Sequence, residues 1–146
     1  EGIKYGISFK DLEFDRYYSD VVEYSGGNPG EITIDGCTYA HYFVSGISGR
    51  PLQSVHHAQA LTMKRFNSST CGHSHLFDYH VAKDSSGATK QALVVGMYQD
   101  YISPWAGKST CNLWTSGVCI KRNVEGGRYD LQHISMEALK KEYGKA

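Results

Sequence analysis

The stretch Ser68-Ser69-Thr70-Cys71-Gly72-His73-Ser74-His75 decides how the chain is read. Residues 68–72 read as a short β-strand, Gly72 allows a sharp turn, and two histidines follow at i and i+2. In an extended segment, i and i+2 face the same side, so His73 and His75 can present two imidazoles to one cavity. The plain alternative is a polar turn after a strand. Imidazole is a common ligand of Zn²⁺, Mn²⁺ and Fe, and six of the seven histidines (His41, His56, His57, His73, His75 and His80) fall within 40 residues.

Upstream, Glu31-Ile32-Thr33-Ile34 and Cys37-Thr38-Tyr39-Ala40-His41-Tyr42-Phe43-Val44 flank Asp35-Gly36, a hairpin signal because both turn positions need positive φ. His41 lies in the second, apolar run, where a histidine is either bonded to a backbone carbonyl or used. Ser45 to Pro51 reads as a loop. Ser54 is the expected cap of a helix over about 55–66, with Val55, Ala58 and Leu61 spaced by three. Residues 8–24 carry apolar positions at roughly helical spacing and predict one or two short helical turns, ended by Gly26-Gly27-Asn28-Pro29-Gly30. Downstream, 91–98 and 113–122 read as strands, Gly126-Gly127 as a turn into 128–131, and Ser135 as the start of a helix ending before Gly144. The fold class is α/β or α+β without regular βαβ alternation.

The 146 residues fit one domain, 1–146, large enough for a real core. With 40% apolar and 12% aromatic residues the chain is neither disordered nor collagen-like. Fifteen basic against fifteen acidic residues leave zero formal charge, which argues against a sequence-blind polyanion binder. Nucleic acid remains possible only as substrate. No apolar run is long enough to span a membrane, and Glu1-Gly2-Ile3-Lys4 shows no signal-peptide pattern. The missing initiator Met suggests processing or excision from something longer. Cys37, Cys71, Cys111 and Cys119 contain no C-x-x-C pair, and are expected to be thiols of a cytoplasmic protein, with two disulfides as the alternative.

Taken together, Ala40-His41-Tyr42 and Gly72-His73-Ser74-His75 resemble the C-terminal half of the calcineurin-like metallophosphoesterases. In that family a lone His after a strand precedes a G-H-x-H block, and the resemblance covers about residues 31–134. It implies an α/β chain forming part of a four-layer α-β-β-α sandwich, mostly the C-terminal sheet. It implies two divalent ions (Mn, Zn or Fe), His41 and His73 holding the second and His75 the first. A hydroxide shared by the ions would attack the phosphorus of a phosphomono- or diester in line. The family's earlier D-x-H, G-D and G-N-H blocks are absent here. Asp78-Tyr79-His80 has the D-x-H form but follows G-H-x-H, so Asp78 or His80 is expected to orient a ligand imidazole or to close the turn. The missing donors would come from upstream residues or a second polypeptide. The competing expectations are a degenerate relative serving as a structural or binding module, and a mononuclear zinc hydrolase using three imidazoles. Arg50 is a candidate phosphate clamp, or an exposed loop arginine. His56 and His57 open the predicted helix, either as neutral contacts to a polar ligand or as surface residues.

Overall fold

The structure, a computed structural model, describes residues 9–46, 48–101 and 104–144. A 3-10 turn (Phe9–Leu12) and a short helix α1 (Phe14–Tyr17) come first. There follow β1 (Ile32–Ile34), β2 (Cys37–Ala40), α2 (His57–Arg65), β3 (Ser68–Cys71), β4 (Phe77–Lys83) and β5 (Thr89–Val95). The chain closes with α3 (Lys108–Cys111), β6 (Gly117–Glu125), β7 (Arg128–Ser135) and α4 (Met136–Tyr143). Strands β1 to β5 form one mixed sheet in the order β1-β2-β3-β5-β4, and β6 and β7 form a separate antiparallel hairpin. β2, β3 and β5 run parallel, while β1 and β4 pair antiparallel at the two edges. The class is therefore mixed α/β.

The Asp35-Gly36 turn forms as expected, with φ of 48° and 79°. The Gly126-Gly127 turn between β6 and β7 also forms and docks on it, Gly127 N donating to Asp35 O at 2.8 Å. A Cβ on Gly36 would lie 2.5 Å from Gly127 N, so backbone meets backbone where the two hairpins touch.

Side chains alternate across the five-stranded sheet and build a core on each face. Under α2 lie Phe43, Leu52, Ala58, Leu61, Cys71, Ala92 and Val94. Under the β6–β7 hairpin lie Cys37, Leu93 and Tyr129, with Tyr39, Phe77, Tyr79, Val95, Cys119 and Leu131 packed around them. Helix, sheet and hairpin thus form three successive layers; α4 contacts both β6 and β7. β5 is covered on both faces, which is why it reads as a continuous apolar run. Lys121 ties the hairpin to the sheet. Its Nζ sits 4.3 and 4.2 Å from the Tyr39 and Tyr129 ring centres and donates to Tyr39 Oη and Thr70 Oγ1.

Several local expectations shift. β2 ends at Ala40, so His41 sits in a bend beyond the strand. The helix begins at His57, not Val55, and Ser54 does not cap it: its Oγ accepts only from His56 N. The first turn is satisfied instead by Asp78 Oδ2, which accepts from Ala58 N at 2.8 Å. Strand β4, Phe-Asp-Tyr-His-Val-Ala-Lys, gives no strand signal in the sequence because its α2-facing side is polar: Asp78 meets the helix start and His80 Nδ1 lies 3.1 Å from Thr62 Oγ1. Ser135 does cap α4, accepting from Ala138 N. The four cysteines are free thiols. Among the described residues no helix is long and apolar enough to cross a membrane.

Leu61→Ala empties a fully buried site under α2 and is expected to cost about 2–5 kcal/mol in urea unfolding. Asp78→Ala should cost about 1 kcal/mol by uncapping α2. A Ser54→Ala variant more costly than Asp78→Ala would reverse the capping assignment.

Candidate functional site

Because β2 and β3 run parallel in register, with Ala40 opposite Cys71, their C-terminal ends lie side by side. Gly72 N extends the ladder by donating to His41 O at 3.1 Å. The next residue, His73, then reaches across, and its Nδ1 lies 2.9 Å from His41 Nε2, with ring centres 4.8 Å apart at 74°. That separation is a hydrogen bond, in which one ring nitrogen donates and the other accepts. Burial holds the His41 pKa below 6.5, and the neighbouring His73 and His75 lower it further. Tyr42 packs 4.9 Å from the His73 ring and Tyr24 lies 6.5 Å from His41, giving the exposed imidazole pair an aromatic border.

His75 goes elsewhere. Both His73 and His75 are left-handed, with φ of 65° and 60°. The segment is therefore not extended, and the same-side expectation for i and i+2 fails: His73 meets His41, while His75 sets its ring edge-on against Trp114 at 4.5 Å. Left-handed backbone at a non-glycine residue costs on the order of 1–3 kcal/mol and persists only where the surroundings enforce it. Here Ser74 N donates to Gly72 O at 2.8 Å and Thr115 N to His75 O at 3.0 Å. From beneath, His57 Nδ1 lies 3.4 Å from Ser74 Oγ.

His57 is not a surface residue: it is 1% exposed, under the loop at the start of α2. Its pKa is depressed chiefly by burial, against the opposing pull of Asp78 and the Leu52 backbone. It cannot touch a solvent-borne ligand, but it props the loop that carries His73 and His75. Asp78 caps α2 and bears electrostatically on His57, whereas His80 is spent on Thr62. Neither Asp78 nor His80 has a hydrogen bond to His41, His73 or His75 in the structure. Arg50 is exposed on its loop, where its backbone bonds to Ser45 and Ser48. His56 is exposed, and His133 stacks on Phe77 at 4.3 Å.

The three candidate metal ligands are thus two plus one. An ion bound by both His41 and His73 at about 2.0–2.1 Å needs their nitrogens about 3.3 Å apart in tetrahedral geometry, a few tenths of an ångström wider than observed. The donor chemistry suits a divalent ion, and the adjustment is small. His75 is close enough to influence His41 but is turned onto Trp114, and among the described residues no group of three or more His, Cys, Asp or Glu side chains is assembled to hold an ion. Trp114 and Ser74 are the contributors that sequence reasoning passed over. Ser74 stood inside the G-H-S-H block, whereas nothing near Trp114 in sequence connects it to His75.

The fold and site define an α/β protein with an imidazole pair at the carboxyl ends of adjacent parallel strands. Comparison with family models, curated proteins and solved structures finds no match to this chain.

The buried His57 predicts a pH dependence. A histidine with depressed pKa takes up its proton more readily when unfolded, so stability falls as pH drops below about 6.5 and levels off below the folded-state pKa. Urea midpoints measured between pH 8 and pH 5 should fall for the native chain and fall less steeply for His57→Gln. An identical slope in the variant would show that His57 does not titrate as described.

Proposed function

We propose that this chain carries the histidine ligands of a metal-dependent phosphoesterase, acting on phosphomono- or diesters. The observation that supports this reading is the apposition of His41 and His73 at the carboxyl ends of two adjacent parallel strands, where open α/β sheets place their ligands. His41 and His73 would hold one ion and His75, released from Trp114, a second, each Mn, Zn or Fe. A divalent ion bound there would polarise a phosphoryl oxygen as a Lewis acid. The chain's own contribution is to orient the rings. Ser74 and His57 fix the loop, Asp78 fixes the helix beneath it, and Tyr42 restricts the His73 ring. Arg50, on the loop after His41, would pair with a phosphate oxygen if that loop folded inward. The missing carboxylate and Asn donors would come from upstream residues or a second polypeptide, and the cytoplasm, where thiols stay reduced, suits four free cysteines.

One observation favours a second reading. Since no carboxylate joins the pair among the described residues, a module that keeps the fold and binds a partner without catalysis is the alternative.

Titration of the chain with Zn²⁺ or Mn²⁺ in a calorimeter should show binding that His41→Ala and His73→Ala abolish and His80→Ala leaves intact. Ser74→Ala, which removes the contact between His57 and the loop, should weaken it less than either His41→Ala or His73→Ala. Hydrolysis of aryl phosphate mono- and diesters with Mn²⁺ should follow the same order among the variants. Absence of metal binding, with no effect of His73→Ala on any hydrolysis, would eliminate the phosphoesterase and leave the binding module.

A further inference from the structure

Beside His75 lies a cavity of about 350 Å³, within the size range of small-ligand sites. Tyr101 and Trp114 supply flat aromatic walls, Met97 and Met136 polarisable thioethers, and Ser116 and Glu137 polar groups. Its rim carries the ion pair between Asp100 and Lys140. Trp114 belongs to this cavity and also packs against His75, with ring centres 4.5 Å apart at 79°. Trp105 lies 6.1 Å further on, tilted by 53° and 79% exposed. A large indole left in water is an unusual use of apolar surface.

We infer that this cavity takes a nucleobase, so that the phosphate ester handled at the imidazole cluster is a mononucleotide. This rests on the phosphoesterase reading for the phosphate end only. The planar ring would stack on Trp114 and Tyr101, since every base offers a π-face to an aromatic side chain. Ser116 and Glu137 would meet its donor and acceptor edge. The sugar-phosphate would extend past Trp114 toward His75. Sugar and glycerol phosphates have no aromatic ring to stack in the cavity. A nucleic-acid strand is disfavoured because the chain's 15 basic and 15 acidic residues leave no net positive charge to displace counterions.

The chain has two tryptophans, Trp105 and Trp114, and both belong to this patch, so intrinsic indole fluorescence reports on it alone. Titration of the intact protein with adenosine 5′-monophosphate should quench that fluorescence saturably. Adenosine should quench it more weakly, and ribose 5-phosphate should not quench it. Tyr101→Ala, which keeps both indoles, should weaken the nucleotide about ten-fold or more, the worth of one base–aromatic stack. His75→Ala should weaken the nucleotide but not adenosine. Absence of saturable quenching by either adenine compound overturns the nucleobase site, even if aryl phosphates are hydrolysed. Equal affinity for adenosine and its monophosphate, unchanged by His75→Ala, overturns the link to the imidazoles while leaving the cavity a base site. A single-stranded oligonucleotide that binds more tightly than the mononucleotide overturns the mononucleotide assignment.

Discussion

The parallel pairing of β2 with β3 is the constraint on which the rest depends. Parallel strands cannot be joined by a tight turn, so the chain must leave the end of β2, cross the sheet through α2 and return to start β3 beside the beginning of β2. The two strands then finish together. His41 and Gly72 become neighbours across a backbone hydrogen bond, and His73 is carried to within 2.9 Å of His41 although 32 positions separate them. The crossover that closes the layer over the sheet therefore also creates the imidazole pair.

The same crossover explains why the loop after β3 can hold a costly shape. α2 buries Ala58 and Leu61 against Cys71, Ala92 and Val94, and this packing fixes the helix start directly below Ser74. His57 then supports the loop from the interior, and Asp78, from the edge strand, supplies the hydrogen bond that the helix start lacks. Above, Thr115 holds the carbonyl of His75. With these contacts in place two left-handed histidines flanking Ser74 are sustained, and their rings go to different partners, His41 and Trp114. An extended segment would have aimed both rings the same way and left His75 away from Trp114.

Much of the fold was legible from local pattern. The Asp35-Gly36 and Gly126-Gly127 turns, the core strand β5, the Ser135 cap and the approximate position of α2 each carry a signal within a few residues, because turn dihedrals and caps are local chemistry. β4 was not legible, since both its faces are occupied and the polar one mimicked a metal-binding motif at Asp78 and His80. The cap of α2 is not Ser54 but Asp78, 20 residues away in sequence from the Ala58 N–H it accepts from, and it arrives only through sheet pairing. Among the candidate residues, His41 and His73 meet at hydrogen-bond distance, whereas His57 and His80 are committed to internal contacts.

The sequence by itself determined which residues are available for chemistry: a dense set of imidazoles, a G-H-S-H loop after a strand, and a balanced surface charge. It also determined the mixed α/β class, because alternation, turn chemistry and apolar runs are properties of short segments. Only the tertiary structure decided which imidazoles face each other. Ring direction depends on the φ of His73 and His75 and on which strands lie adjacent, and neither is set by neighbours in sequence. Strand order and loop strain together turn one histidine toward His41, another toward Trp114, and bury a third beneath them.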